Sequence, residues 1–238
     1  MTESTLAGRT ALVTGASRGI GRQVVETLAD AGVRVWCLGR SATELRALAS
    51  EVGGEALVAD LTDDAATWEA LDGMVESLGG APDVVVNSAG VFGMESAATE
   101  SVVTFDNTMA INLRGTFLVN RVLLPYMLKR RSGLIVNVGS VAGRKAYRGN
   151  STYSATKYGL RGYHEVLLEE LRGTGVRATL LEPASTDTPI WDALDPDSNP
   201  KLPSRKDMLR ADDVAQAVLF VATRPADVRI PVLQIERA

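Results

Sequence analysis

Tyr153 and Lys157 are a pair of residues whose types and spacing could do chemistry. If their segment is helical, the two side chains lie on one face. A phenol with a pKa near ~10 is a poor base at neutral pH, but a nearby ammonium favours the phenolate and lowers that pKa. A tyrosine adjusted in this way could exchange a proton with an alcohol or a carbonyl oxygen. An exposed helical pair without chemical significance is the alternative.

A glycine-rich turn follows the first apolar run of the chain. Gly15, Gly19 and Gly21 enclose Ala16-Ser17-Arg18 and Ile20. Glycines allow a backbone to approach a pyrophosphate, and the start of the next helix offers N–H groups and a positive dipole end to phosphates. The spacing is neither the usual Gly-x-Gly-x2-Gly fingerprint nor a Walker loop. A tight turn between a strand and a helix, with no ligand, is the alternative.

Polar residues end three further apolar runs: Asp60, Asn87 and Ser140. Each of them alone is best explained as a helix cap or a turn former. In open α/β sheets, however, ligands bind at the carboxyl ends of the strands. The alignment of all three residues on this edge therefore favours a ligand site.

The elements that must position these residues alternate along the chain. Short apolar runs without alternation are typical of parallel strands buried on both faces. Strands are expected at 10–14, 33–38, 55–59, 83–87, 134–138, 176–181 and 230–235. Helices are expected at 19–31, 41–52, 63–78, 100–131, 151–172 and 210–223. The pattern predicts an α/β fold, a single-domain doubly wound parallel sheet over residues 1–238. The proline-rich segment 192–207 is expected to be a mobile substrate loop.

Composition excludes several classes of protein. The chain has 238 residues and a net charge of −4, so it lacks the basic surplus that nucleic-acid binding requires. One Cys and one His make an internal disulfide impossible and a metal site improbable. No signal pattern and no membrane-length apolar run occurs, so we expect no membrane association and a cytoplasmic location.

The motifs together resemble the short-chain dehydrogenase/reductase family from about Gly8 onward. They occur in family order and at family spacing. The motifs are Thr14-Gly15-x3-Gly19-x-Gly21, Asp60-Leu61, Asn87-Ser88-Ala89-Gly90, Asn112, Ser140, Tyr153-x3-Lys157 and Pro183-Ala184-x3-Thr188. Ser88 and Ala184 depart from the commonest family residues, and the C-terminal part resembles a branch with NADP-dependent reductases and 3-hydroxy-acid dehydrogenases.

The resemblance implies a nicotinamide-dependent oxidoreductase acting on a small carbonyl or alcohol. Tyr153 would be the general acid/base, and Lys157 would lower its pKa and hold the nicotinamide ribose. Ser140 would orient the substrate oxygen, and Asn112 would hold a water in a proton relay. The implied cofactor contacts are Gly15, Ser17, Arg18, Gly19, Ile20, Gly21, Arg40, Asp60, Leu61, Asn87, Ala89, Gly90, Tyr153, Lys157, Pro183, Thr186 and Thr188. Phe92, Tyr147 and Trp191 would form the substrate wall with Ser140 and Tyr153.

The expected cofactor is NADP, with NAD as the alternative. No acidic residue occupies positions 37–41, where NAD-specific enzymes bind the ribose hydroxyl, and Arg40 could accommodate a 2′-phosphate. Arg18 would approach the same phosphate from the glycine turn. A non-catalytic NADP-binding sensor of the same fold is the rival hypothesis, but it predicts loss of catalytic residues that are all present.

Three further features have less specific interpretations. Arg144, Lys145 and Arg148 could attract an anionic substrate or could form an ordinary solvated loop. His164 is too far along its helix to join the catalysis and is expected at the surface or at a subunit contact. The long helices around 100–131 and 151–172 are apolar on more than one side, which favours a homodimer or a homotetramer.

Overall fold

One parallel sheet forms the centre of the protein. The computed structural model describes residues 6–238. The strands are β1 (Thr10–Thr14), β2 (Arg34–Gly39), β3 (Glu55–Val58), β4 (Val84–Asn87), β5 (Gly133–Val138), β6 (Val176–Pro183), β7 (Thr186–Asp187), β8 (Leu209–Arg210) and β9 (Val232–Ile235). The sheet has seven strands in the order β3-β2-β1-β4-β5-β6-β9, and β7 and β8 form a separate pair.

Helices cover both faces of this sheet. They are α1 (Gly19–Asp30), α2 (Ala42–Val52), α3 (Asp64–Leu78), α4 (Val102–Met109), α5 (Gly115–Arg130), α6 (Ser151–Glu170) and α7 (Ala211–Ala222). The helical stretch expected at 100–131 is divided by a π turn, Ala110–Arg114, between α4 and α5. The doubly wound parallel arrangement expected from the sequence is therefore confirmed.

The central strands β1, β2, β4, β5 and β6 are buried on both faces because their apolar residues are continuous, whereas the edge strands β3 and β9 are partly exposed. Leu12 packs into a core with α3 and α5, whereas Val13 packs into the opposite core with α1, α2 and α7. Val85 and Val86 repeat this division on β4. Full burial of each such side chain contributes about 1.5–3 kcal/mol. Because the central strands are apolar on both sides, a layer of helices packs on each face of the sheet.

Element boundaries agree with the sequence to within a few residues. β1 is as predicted, and β9 begins at Val232, two residues later than expected. Asp63 caps α3, its carboxylate accepting from the Ala66 N–H at 3.0 Å. The helical spacing of Trp68 with Leu71, Val75 and Leu78 predicts that Trp68 lies on the apolar face of α3. In the structure Trp68 is 44% exposed, because that helix buries Leu71 and its neighbours instead.

The crevice for a ligand is set by the strand order. The chain winds from β1 outwards to β3 and then returns to β4 on the other side of β1, so the order reverses between β1 and β4. Thr14 and Asn87 lie in register at the carboxyl ends of these strands. Such switch points are where open α/β sheets bind ligands. No helix within residues 6–238 is long and apolar enough to cross a membrane. Residues 1–5 lie outside the described residues, so a single domain over 1–238 stays a prediction.

Candidate active site

A cleft of about 1040 Å³ runs along the carboxyl edge of the sheet. It brings together nearly all the residues that the sequence proposed for a cofactor. Those lining it are Gly15, Ser17, Arg18, Gly19, Ile20, Gly21, Arg40, Asp60, Leu61, Ala89, Gly90, Tyr153, Lys157, Pro183, Thr186 and Thr188. Ser140, Phe92, Tyr147 and Trp191 also line it. Asn87 and Asn112 do not line the cleft.

The glycine turn is compact because two of its residues have no room for a side chain. Gly15 has φ +66°, and a Cβ there would lie 2.7 Å from the Cα of Ala89. A Cβ at Gly21 would lie 2.3 Å from the carbonyl oxygen of Gly15. α1 begins here without a side-chain cap from Arg18, so its first N–H groups stay available at the cleft.

Thr14 joins this turn to the one after β4. Its hydroxyl accepts from the N–H groups of Ser88 and Ala89, both at 3.1 Å. The glycine motif includes Thr14 without a role of its own. A hydroxyl residue at the end of a buried apolar strand indicates a hydrogen bond to a neighbouring turn, so this role could have been predicted. The threonine thereby sets the spacing between the two turns that form one end of the cleft.

Arg18 and Arg40 bring positive charge to that end. Both are exposed, and the Arg40 guanidinium lies 3.5 Å from the Asp60 carboxylate. Asp60 also accepts from the N–H and the hydroxyl of Thr62 at 2.9 and 2.8 Å. Partial burial raises the pKa of Asp60, but these hydrogen bonds and the Arg40 charge outweigh it and leave the pKa below its ordinary value. Asp60 is therefore a firmly ionised partner for Arg40.

Tyr153, Ser140 and Lys157 meet at the other end of the cleft. Burial raises the pKa of Tyr153, while a hydrogen bond with Ser140 acts in the lowering direction. Lys157 donates to the Val138 carbonyl at 2.8 Å, and its Nζ lies 5.5 Å from the centre of the Tyr153 ring. Burial lowers the pKa of Lys157 to about 8. The pKa of Tyr153 thus departs from the ordinary value in the direction opposite to that expected from the Tyr–Lys spacing, because burial dominates.

Asn112 lies within the helical stretch predicted at 100–131, in the π turn, and is 1% exposed. Its side-chain oxygen accepts from the Val91 N–H at 2.8 Å, and its amide donates to the Val91 carbonyl and to Thr156 at 2.9 and 3.3 Å. The side chain therefore holds the segment after β4, and a role of Asn112 in holding a water stays a prediction.

The Asn87 side chain is turned away from the cleft, and a cofactor contact by this residue stays a prediction. It is 3% exposed, and its amide donates to the side-chain oxygens of Asn120 and Asn137, both at 2.9 Å. β4 is a central strand, and the Asn87 side chain points into the layer shared with α5. Its contribution is to hold β4, β5 and α5 together behind the cleft.

The surface or subunit-contact position expected for His164 is wrong. His164 is fully buried between α6 and the sheet. Its Nε2 lies 3.0 Å from the Pro231 carbonyl, which can only accept, and its Nδ1 lies 3.3 Å from the Asn137 amide. Burial lowers the pKa of His164, and these partners suit the neutral ring. The residue is structural.

The aromatic wall is formed as expected. Phe92 contacts both Tyr153 and Trp191 edge to face, with ring centres 4.9 and 4.8 Å apart. Trp191 donates to the Thr186 carbonyl at 3.1 Å and is almost completely buried. Tyr147 is exposed at the rim. The wall gives the end of the cleft that contains Tyr153 an apolar side. Ile190 and Leu202, which no sequence motif singled out, also line the cleft.

The segment 192–207 is more ordered than the sequence suggested. It begins within a 3₁₀ turn, Pro189–Leu194, and ends in another, Arg205–Asp207. Arg205 pairs with Asp187 at 2.5 Å and with Asp192 at 2.6 Å, which fixes both ends of the segment. Arg205 therefore joins the two ends of the segment, while its mobility and its contact with a substrate stay predictions. Lys201, Leu202 and Pro203 from its middle line the cleft.

Comparison with known proteins agrees with this geometry. The short chain dehydrogenase family model matches residues 9–199. A D-threitol dehydrogenase from Mycolicibacterium smegmatis is 34% identical over 230 residues, covering 93% of this chain and 88% of the relative. A metagenomic short-chain oxidoreductase, solved in complex with NADP, has 31% identity and a TM-score of 0.83, covering 99% of this chain and 100% of that one. The closed form of a serine dehydrogenase complexed with NADP+ has 32% identity and a TM-score of 0.83, covering 95% and 94%. The chain therefore belongs to the short-chain dehydrogenase family, a family of oxidoreductases.

Proposed function

We propose that this protein is an NADP(H)-dependent enzyme that interconverts a carbonyl group and a secondary alcohol on a small molecule. The observation that carries the proposal is that Tyr153, Ser140 and Lys157 line the same cleft as the glycine turn, with the Lys157 ammonium 5.5 Å from the centre of the Tyr153 ring. The names of two relatives, D-threitol dehydrogenase and serine dehydrogenase, support hydroxylated substrates.

The residues at the glycine turn fit a dinucleotide. Gly15 and Gly21 have no room for a side chain, so backbone atoms border the cleft at this turn. The start of α1 has no side-chain cap and offers its N–H groups to a pyrophosphate. Lys157 and Asp60 would bind the sugars, and Pro183, Thr186 and Thr188 would enclose the nicotinamide end. A nicotinamide cofactor, when bound, supplies or accepts the hydride.

The protein's own part is to hold the substrate oxygen and to move its proton. The raised pKa of Tyr153 keeps the phenol protonated at neutral pH, so it can donate its proton to an oxygen that gains negative charge. Ser140 would donate a second hydrogen bond to that oxygen. Lys157, largely charged at neutral pH with its pKa near 8, would stabilise the phenolate left after proton transfer. In alcohol oxidation the same proton moves back.

Replacement of Arg40 by Ala is expected to reduce kcat/KM for NADPH by roughly 10- to 100-fold, the value of one charge-assisted contact. Within residues 6–238 the Arg40 guanidinium pairs with Asp60 at 3.5 Å, and a 2′-phosphate would offer it a second charged partner. NADH has no such phosphate, and its kcat/KM should change little. The measurement is the NADPH to NADH ratio of kcat/KM in both proteins.

Arg46→Ala is the matched control, because Arg46 is an exposed arginine of α2 that does not line the cleft. It should leave the ratio unchanged. A wild-type ratio below one, or the same ratio in wild type and Arg40→Ala, would contradict the NADP assignment.

We propose that 192–207 acts as a lid over the substrate. Its middle contributes Lys201 and Leu202 to the cleft, and Arg205 anchors its ends. Limited proteolysis between 195 and 204 should therefore slow when cofactor and substrate are added together. Equal cleavage rates with and without them would count against a lid.

We further propose a cytoplasmic homodimer or homotetramer. Phe105, Phe117 and Tyr158 expose large apolar surfaces on α4, α5 and α6. A second copy packed on these helices would remove that surface from water.

A further inference from the structure

The three cations that follow Ser140 differ in what they contact. Arg144 pairs with the buried Glu182 and with Glu236. The Lys145 ammonium lies 5.5 Å from the centre of the Tyr147 ring, and Lys145 does not line the cleft. Arg148 lines the cleft, is exposed, and forms no ion pair within the described part of the chain. Of the three, Arg148 is therefore the one whose charge is open to a ligand.

A second cation, Lys201, borders the cleft from the segment 192–207. Its backbone N–H bonds to Asn199 at 3.1 Å, but its ammonium makes no ion pair among residues 6–238. Among the described residues that line the cleft, Asp60 is the only acidic one, and it is occupied by Arg40 and Thr62 at the cofactor end. Arg148 and Lys201 thus give the cleft positive charge that no lining carboxylate neutralises.

Asn150 adds an unused polar atom to the same lining. It is 6% exposed, and its side-chain oxygen has no hydrogen-bond partner among the residues described. A buried acceptor without a partner is costly, so it favours a ligand that brings an O–H or N–H donor. Phe92 and Trp191 leave the remaining wall apolar.

We propose that Arg148 and Lys201 form an anion subsite that selects alcohols and carbonyl compounds bearing a negatively charged group, either a carboxylate or a phosphate ester. A guanidinium and an ammonium both bind these groups through charge-assisted hydrogen bonds. The subsite deepens the proposed function and rests on it, since the anion would orient the reacting carbon towards Tyr153 and Ser140. The net charge of the chain is −4, so the cations at the cleft do not reflect a general surplus of basic residues.

The test compares matched charged and neutral alcohols. Sodium 3-hydroxybutyrate is paired with its methyl ester, and glycerol 3-phosphate is paired with glycerol. The quantity measured is the ratio of kcat/KM for the charged member to that for the neutral member. In wild type this ratio should exceed one for at least one pair. The pair for which it does so shows whether the subsite binds a carboxylate or a phosphate ester.

Arg148→Met and Lys201→Met should each lower that ratio by roughly 5- to 30-fold, since both side chains are exposed and the charges are partly screened. Arg148→Lys keeps the charge and should recover part of the ratio. Lys145 lies near Arg148 in the chain but does not line the cleft, so Lys145→Met should leave the ratio as in wild type. A wild-type ratio of one or less for both pairs, or a ratio that Arg148→Met and Lys201→Met leave intact, would overturn the subsite.

A binding measurement separates failure of the subsite from failure of the proposed reaction. Calorimetric titration with malonate and with inorganic phosphate should give at least one anion a higher affinity for wild type than for Arg148→Met. If no alcohol is oxidised but this difference is present, the redox proposal fails and the subsite stands. If alcohols are oxidised and neither anion distinguishes the two proteins, the subsite is overturned and the reaction stands.

Discussion

Tyr153→Phe is expected to lower kcat by about a hundredfold to ten-thousandfold, the range that a positioned general acid contributes. The substitution removes only the phenol hydroxyl, the group that would donate the proton. The ring itself should keep its edge-to-face contact with Phe92 at 4.9 Å. Single-turnover reduction of a carbonyl substrate, followed by the loss of NADPH absorbance, measures this step directly.

Two controls make the result specific to proton transfer. NADPH affinity, measured by calorimetry, should stay close to wild type in Tyr153→Phe, because the glycine turn is untouched. Tyr158→Phe removes a hydroxyl from an exposed tyrosine on the same helix, outside the cleft, and should leave turnover unchanged. If Tyr153→Phe retained more than about a tenth of wild-type turnover in a step limited by chemistry, the general-acid role would be wrong.

Gly21→Ala should destabilise the protein and weaken NADPH binding together. The new Cβ would lie 2.3 Å from the Gly15 carbonyl oxygen and 2.7 Å from its carbon, so the backbone of the turn must move. Overpacking of this kind costs about 1–3 kcal/mol. For a chain of this length each kcal/mol lowers Tm by about 2–4 °C. Thermal unfolding and NADPH titration of the same sample give both quantities.

Gly73→Ala provides the matched comparison. Gly73 lies inside α3, and a Cβ there meets no atom within 4 Å. Ala is preferred to Gly in a helix interior by about 0.5–1 kcal/mol, so Tm should rise slightly. An unchanged Tm in Gly21→Ala would show that the turn can yield without cost, contrary to the crowding seen at Gly15.

The elements and the position of the cleft could be predicted because they depend on continuous apolar runs and on turn residues. Val84–Asn87 is buried throughout, which is what an unalternating apolar run indicates. Gly15 and Gly21 were recognisable because glycine spacing reflects local backbone crowding. The alignment of Asp60 and Ser140 on one edge followed from their places after strands, and both line the cleft.

Side-chain direction was less accessible to sequence. Asn87 ends β4 as predicted, yet its side chain points inwards to Asn120 and Asn137, since its orientation depends on partners 33 and 50 residues away. Asn112 turns to Val91 for the same reason. His164 was derivable in part. It lies eleven residues, or about three helical turns, after Tyr153 and therefore on nearly the same face of α6. That face packs against the sheet, so burial was the better expectation.

The switch-point arrangement also determines when the site can exist as the chain folds. Every pairing in the main sheet is parallel, so no two neighbouring strands can be joined by a hairpin. The contact between Gly15 and Ala89 needs β4, and Ser140 and Tyr153 are added only by β5 and α6. Pairings this distant along the chain slow folding. During synthesis, the glycine turn therefore waits for residues nearly a third of the chain away, and the cleft closes only when β6 brings Pro183 to its edge.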